Sequence, residues 1–201
     1  MNEMENTSEM QPFMEIVAHE GLNNAAKGFG SMVGTPFKVS ASEVSTVPVE
    51  EIPFLAGGPE NEIVGIYLHA EGDVAGQILL MFPVEKALEL VDLLMEQPEG
   101  TTQELDTMAR SALAEVGNLV GSFFLNSVAS LTGLDTRPSP PAIVVDMVAA
   151  LLSMVTATCA TMGDEALMIK GDFSQIDRGT QLQFWVMPDP DTLGKINEKL
   201  N

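Results

Sequence analysis

Cysteine is almost absent from the chain, which has 1 in 201 residues. This scarcity excludes a disulfide framework or a structural zinc cluster as the source of stability. Hydrophobic residues make up 45% of the sequence, which at this length is enough to bury a substantial core. We therefore expect a single domain over residues 12–201, held together by apolar packing.

Basic residues are also scarce, since Lys and Arg number 9 against 29 Asp and Glu, a formal net charge of -20. Such a chain would repel a phosphate backbone, so nucleic acid is excluded as a partner. The first ten residues, "MNEMENTSEM", lack the basic start and the apolar centre of a signal peptide. We expect residues 1–11 to form a disordered tail and the protein to be cytoplasmic.

The most apolar segment, Met147–Gly163, lacks the flanking Lys, Arg and aromatic residues of a membrane span. We expect a buried helix there and no membrane insertion. Cys159 lies in this run without a nearby His or cation and is interpreted as a small buried hydrophobic residue. The sequence also lacks a Walker loop, a zinc-ligand cluster, a nucleophile elbow and a dinucleotide fingerprint, which leaves most enzyme classes without a motif.

The sequence does contain one pattern of elements that occurs twice. Each half begins with an amphipathic helical pattern ending at a Gly, continues through Pro-punctuated apolar segments and two strand-like runs, and closes with a helix. The corresponding positions are Gly34 with Gly133, Ser42 with Pro141, Val44 with Ile143, and Pro83 with Pro188. We predict an α/β fold of the α+β type, in which pseudo-repeats 12–98 and 99–201 each supply a helix and a hairpin. The long helices should pack on a mainly antiparallel sheet.

A polar stripe is predicted on the second long helix, within "SALAEVGNLVGSFFLNSVASLTG". Ser111, Glu115 and Asn118 follow one another at spacings of four and three residues, which aligns their side chains on one helix face. Leu113 and Val116 fall elsewhere around the helix, toward the core. Spacing alone does not distinguish such a stripe from an ordinary solvated surface.

Four residues match the signature of a known family. The segment "AEVGNLVGSFFLNSVASLTG", followed by "RPSPPAIVVDM", resembles the CheC/CheX/FliY family of response-regulator phosphatases. The family signature is Asp or Ser, three residues, Glu, two residues, Asn, twenty-two residues and Pro. Ser111, Glu115, Asn118 and Pro141 occupy all four places. The resemblance extends over nearly the whole chain, whose length favours the CheC-like branch.

The resemblance implies a phosphatase that hydrolyses the aspartyl phosphate of a CheY-like response regulator in chemotaxis signalling. Asn118 would orient the attacking water, and Glu115 would dock the receiver domain by pairing with its active-site Lys. Ser111 and Pro141 would support these two residues. The receiver would supply Mg²⁺, so that the phosphatase needs no cofactor or metal of its own. A general-base role for Glu115 is the second choice.

A different class of function stays open beside the enzyme. The chain could be a non-catalytic adaptor that docks a receiver through the stripe, or one that binds a CheD-like deamidase, as some CheC proteins do. The presence of both Glu115 and Asn118 favours the enzyme, because an adaptor would need neither.

The first half departs from the signature. Aligning "GLNNAA" with the family's usual "GAGNAA" places Pro12, Ile16, His19 and Ser42 at the four positions, and none of them fits. His19 alone is more typical of a structural or surface residue than of a catalytic one. We therefore expect one intact site per chain, in the second half.

Overall fold

The computed structural model describes residues 3–160, 163–175 and 181–200. The helices are α1 (Glu3–Val33), α2 (Val84–Leu94), α3 (Thr107–Thr132), α4 (Val148–Cys159) and α5 (Pro190–Leu200), with a 3₁₀ helix at Val49–Phe54. The strands are β1 (Phe37–Pro48), β2 (Glu62–Gly72), β3 (Gly76–Pro83), β4 (Thr136–Pro138), β5 (Ala142–Met147), β6 (Glu165–Gln175) and β7 (Gln181–Pro188). Both predicted hairpins are present, β2 with β3 and β6 with β7.

The described strands form one antiparallel sheet in the order β1-β6-β7-β3-β2, and both β4 and β5 pair with the free side of β2. If β1 is matched with β5, β2 with β6 and β3 with β7, exchanging the halves reverses this order. A pseudo-twofold axis therefore passes between β3 and β7. The first strand of each half pairs with the hairpin of the other half, β1 with β6 and β5 with β2. The predicted α+β fold of two pseudo-symmetric halves is confirmed.

The ends of corresponding elements also match. Helices α1 and α3 are followed by Gly34 at φ 68° and Gly133 at φ 67°, in the left-handed region where a side chain would be strained. Strands β3 and β7 end at Pro83 and Pro188. The glycines and prolines that suggested a duplication therefore occupy equivalent places in the two halves.

The sheet separates two apolar layers. On one face, α1 and α3 cover the larger core, to which they contribute Leu22, Phe29, Val116 and Phe124. On the other face, α4 and the 3₁₀ helix cover a smaller cluster that includes Trp185. Helix α3 is long and apolar enough to cross a membrane by length and composition, but its inward side chains belong to the larger core.

Helix α4 differs from the buried helix that was expected. Leu151, Leu152 and Val155 are buried in the smaller cluster, whereas Met154 is 58% exposed. The helix lies on the outside of the fold and buries only one of its faces. It therefore has more apolar residues than that face needs. Cys159 is buried, as interpreted from the sequence. Residues 161 and 162 of the apolar run lie outside the described residues.

The N-terminal segment also differs from the expectation. Helix α1 begins at Glu3, so residues 3–11 are helical rather than a disordered tail, while residues 1 and 2 lie outside the described residues. Glu and Met, which are frequent in this segment, have high helix propensity. Pro12 lies inside the helix without ending it. Its ring removes one backbone hydrogen bond, a local loss that the longer helix tolerates.

Helices α1 and α3 approach each other closely because α1 has glycines where α3 has phenylalanines. A Cβ atom on Gly21 would lie 2.7 Å from the ring of Phe124, and one on Gly28 would overlap the ring of Phe123. Between the two glycines, the Asn24 side chain donates a hydrogen bond to the backbone carbonyl of Phe123 (3.1 Å). Close packing and a specific hydrogen bond thus fix α3 against α1.

Asp92 connects the two halves through a buried carboxylate. Its side chain is 2% exposed and accepts backbone hydrogen bonds from Gly100 (2.7 Å), Thr101 (3.0 Å) and Thr102 (2.7 Å). These three residues belong to the loop that leads from α2 to α3. The carboxylate thereby satisfies three backbone donors and folds the loop back onto α2.

Replacing Gly21 with Ala should destabilise the protein. The added methyl group would meet the buried Phe124 ring, and overpacking of this kind costs about 1–3 kcal/mol, more than the roughly 1 kcal/mol gained in helix propensity. The matched control is Gly194→Ala in α5, where no atom lies within 4 Å of the new methyl group. In urea unfolding, Gly194→Ala should have the same free energy of unfolding as the wild type or a higher one. Equal changes in the free energy of unfolding for the two variants would contradict the packing explanation.

The contribution of Asp92 to stability should depend on pH in a defined direction. Hydrogen bonds, first from the Thr102 side chain and then from the three backbone donors, hold the pKa of its carboxyl below the ordinary value of 3.8, although burial opposes them. A lowered folded-state pKa gives stability that is present above 3.8 and is lost as pH falls through the lowered value.

Asp92→Asn should therefore have a lower free energy of unfolding than the wild type at neutral pH, and the difference between the two proteins should become smaller at acid pH. Urea unfolding of both proteins across the pH range measures this difference. The titration of the other carboxylates affects both proteins alike and largely cancels from it. A difference in unfolding free energy that grows on acidification would show that the surroundings of Asp92 do not favour its ionised form.

Candidate functional site

The orientation of α3 is set at its two ends. Asp106 caps the first turn, where its side chain accepts a hydrogen bond from the backbone N–H of Ala109 (2.8 Å). Gly133 ends the helix, and its N–H donates to the carbonyl of Ala129 (2.8 Å). The helix therefore has a defined start and stop, and its apolar residues determine its rotation on the sheet.

One face of α3 packs in the core. Leu113, Val116, Val120 and Phe124 are each at most 1% exposed. Gly117 is also on the sheet side, since a Cβ there would overlap the side chain of Ile66 in β2. With this face turned inward, a 3.6-residue helix has to direct the opposite face to solvent.

Ser111, Glu115 and Asn118 are all exposed on that opposite face. Within the described part of the chain, none of their side chains has a hydrogen-bond or ion-pair partner. Asn24 is different, because its carboxamide binds across to α3 and is used in packing. The carboxylate of Glu115 and the carboxamide of Asn118 are therefore free to bind a partner. An exposed helical stripe suits a macromolecular surface better than a small molecule, which needs a concave pocket.

Pro141 lies beside the same helix although it is distant in sequence. It directly precedes β5, and its Cβ lies 3.5 Å from the position that a Cβ on Gly117 would occupy. Gly117 is the residue before Asn118, so the proline borders the backbone that carries the carboxamide. The structure thus places Pro141, just before β5, beside the part of α3 that carries the stripe.

Arg110 ties this strand to the helix. Its guanidinium donates to the backbone carbonyl of Leu105 (3.0 Å) and makes a longer contact with that of Ile143 in β5 (3.4 Å). The sequence did not indicate a role for this residue, because the contact joins segments that are far apart along the chain. Arg110 thereby links the start of α3 to β5, two residues beyond Pro141.

The equivalent face of α1 carries different chemistry. Pro12, Ile16 and His19 are exposed, and Ile16 is 52% exposed. His19 and Ser42 line a shallow pocket of about 180 Å³ between α1 and β1, together with Asn23. The Asn23 carboxamide donates to the backbone carbonyl of His19 (2.7 Å) and so is already engaged within its own helix. This surface has neither the carboxylate nor the free carboxamide of the α3 stripe.

A further polar group lies on the opposite side of the sheet. The Tyr67 hydroxyl contacts Gln77, which is 1% exposed. Burial raises the pKa of the Tyr67 hydroxyl and that of the Cys159 thiol, which leaves both groups neutral near pH 7. Burial also raises the pKa of Asp189, while the nearby His69 opposes the shift. No sequence pattern indicated that Tyr67, Gln77 and Asp189 lie near Cys159, and the sheet separates these residues from the α3 stripe.

Metal binding has no candidate cluster among the described residues. Within 3–160, 163–175 and 181–200, no three His, Cys, Asp or Glu side chains lie close enough together to hold an ion.

The chain is similar to chemotaxis proteins over most of its length. The model of the CheC-like family matches residues 108–145, the segment that contains the stripe and Pro141. The CheY-P phosphatase CheC of Bacillus subtilis (strain 168) is 25% identical over 194 residues, which cover 94% of this chain and 92% of the relative.

Solved structures share the fold. FliY of Thermotoga maritima superposes with a TM-score of 0.68 at 15% identity, covering 99% of this chain and 96% of that one. The CheX-CheY-BeF3-Mg+2 complex of Borrelia burgdorferi matches with a TM-score of 0.53 at 20% identity, covering 85% of this chain and 96% of that one. Motif, sequence and fold thus confirm the resemblance to the CheC/CheX/FliY family.

Proposed function

We propose that the protein is a phosphatase that hydrolyses the aspartyl phosphate of a CheY-like response regulator. The observation that carries the proposal is the free carboxylate of Glu115 and the free carboxamide of Asn118, side by side on the exposed stripe at the family spacing. The similarity to a relative named CheY-P phosphatase supports the reaction. A solved complex of a CheX with CheY, beryllofluoride and Mg²⁺ supports the partner.

The aspartyl phosphate is already activated within the receiver. In the proposed reaction the receiver supplies Mg²⁺ and a Lys that balance the charge on the phosphoryl oxygens, so the phosphatase has little charge to stabilise. Its main contribution is a water molecule held in line with the phosphorus. Asn118 suits this task, because a carboxamide can accept a hydrogen bond from water, donate one to a phosphoryl oxygen, and stay neutral at any relevant pH.

Glu115 suits a docking role. It lies almost one helical turn before Asn118, and its carboxylate can pair with the receiver's Lys at the edge of the active site. A charge-assisted hydrogen bond in a partly dehydrated interface contributes about 1.5–3 kcal/mol and would also fix the position of Asn118. Activation of water by Glu115 as a general base ranks second, because a loose displacement at phosphorus gains little from deprotonating the nucleophile.

Ser111 and Pro141 would support this pair. Ser111 extends the polar stripe by one turn, and Pro141 borders the backbone at Gly117. The protein would need no cofactor or metal of its own, since Mg²⁺ arrives with the receiver. A cytoplasmic location would agree with this partner.

A non-catalytic adaptor is the alternative, one that docks a receiver or a CheD-like protein without hydrolysis. The alternative stays open because a shared fold at 15–20% identity does not establish catalysis. Two free functional groups at the signature positions favour the phosphatase.

Substitutions at the two residues should separate their roles. Asn118→Ala should lower kcat for loss of receiver phosphate by about a hundredfold or more while binding changes little, because the lost contact is with water in the transition state. Glu115→Ala should weaken binding and turnover together. Phosphate release from a phosphorylated CheY-type receiver in Mg²⁺, with calorimetry of the beryllofluoride form, measures both effects.

Asn126→Ala is the matched control, an exposed Asn on the same helix more than two turns beyond Asn118, and its kcat should be unchanged. If Glu115→Gln binds normally but loses all rate, the general-base role replaces the docking role. An unchanged receiver-phosphate lifetime at saturating wild-type protein would leave the adaptor as the correct function.

Each chain should bind one receiver. At the first-half surface, Ile16 would leave the receiver's Lys dehydrated and unpaired, a cost of about 1–3 kcal/mol that should prevent docking there. Ile16→Ala and His19→Ala should therefore keep nearly full activity. A titration that gives two receivers per chain, or a large rate loss in His19→Ala, would show that the first half also has a working site.

A further inference from the structure

Met108 is an exposed apolar residue at the start of α3. Its side chain is 62% exposed, although Met is usually found inside proteins. It lies in the first turn after the capping residue Asp106, where its neighbour Ala109 is 2% exposed and takes the inward position. The helix start therefore directs Met108 outward in a defined way.

Met108 continues the polar stripe in the N-terminal direction. The spacings from Met108 to Ser111, Glu115 and Asn118 are three, four and three residues, which keep all four side chains on one face of the helix. At about 1.5 Å per residue, Met108 lies roughly 10 Å along the axis from Glu115 and roughly 15 Å from Asn118. The face that carries the signature thus has an apolar end.

The neighbouring long side chain does not cover this methionine. Arg110 is folded back onto the backbone carbonyls of Leu105 and Ile143, away from the outer face. Met108 therefore keeps more than half of its surface available to an outside partner. Its unbranched thioether can also adjust to an irregular partner surface.

The size of a protein interface places Met108 within it. A standard interface buries about 800 Å² on each partner, which corresponds to a disc of roughly 16 Å radius. A receiver centred on Glu115 and Asn118 would extend over Met108. Methionine is enriched in protein interfaces, and an apolar side chain that is removed from water there adds to the affinity.

We propose that Met108 is an apolar anchor for the receiver domain, packing against an apolar part of the receiver surface roughly 15 Å from the aspartyl phosphate that Asn118 would reach. The proposal rests on the proposed phosphatase function and assigns to Met108 a part in receiver affinity and choice. It predicts an effect on KM and on binding, and none on the chemical step.

Steady-state phosphate release by the full chain, with a phosphorylated CheY-type receiver, tests this assignment. Met108→Ala should raise KM about five- to thirtyfold and leave kcat within twofold. Met108→Leu should keep most of the wild-type affinity, and Met108→Glu should bind the receiver more weakly than Met108→Ala. The matched control is Met154→Ala, because Met154 is 58% exposed on α4, on the other side of the sheet. This control should leave KM unchanged.

Calorimetry with the beryllofluoride form of the receiver separates failure of the anchor from failure of the enzyme. If the wild type binds but does not hydrolyse, the phosphatase proposal fails, while a weaker Kd for Met108→Ala still supports the anchor. Equal Kd and KM for the wild type and Met108→Ala would overturn the anchor, as would a fall in kcat alone. A wild type that neither binds nor hydrolyses would overturn both proposals.

Discussion

The close contact between α1 and α3 is the constraint on which the rest of the structure depends. Gly21 and Gly28 leave room for two phenylalanine rings of α3, and Asn24 bonds to the α3 backbone. With one side of α3 held by α1 and another by the sheet, solvent is the direction left for Glu115 and Asn118. A packing requirement in the core therefore determines where the candidate chemistry is displayed.

Two local features of the sequence predicted much of this arrangement. The helical spacing of Leu113, Val116 and Val120 shows which face of α3 turns inward, and the outward position of the stripe follows from it. Gly34 and Gly133 predicted equivalent helix ends because a left-handed residue after a helix favours glycine. Both signals act within a few residues, where a sequence can be interpreted directly.

The features that were not predicted depend on residues that are distant in sequence. The pairing of β1 with β6 and of β5 with β2 joins the halves, and no local pattern reveals it. Asp92 has the sequence context of a surface carboxylate, and only the returning loop makes it a buried acceptor. At Pro12 the local signal itself was misleading, because a proline that usually marks a helix boundary lies inside α1.

The support of α3 by the other half bears on how such a duplicated protein can evolve. Gly117 and Gly121 of α3 face Ile66 and Leu68 of β2, which is a strand of the half without the signature. The first half therefore supplies the strand on which the signature helix packs. Evolution can replace the surface residues of the first half, but α3 still needs the first half for its packing. Selection on the first half should then preserve its shape and its glycines long after its own surface chemistry has changed.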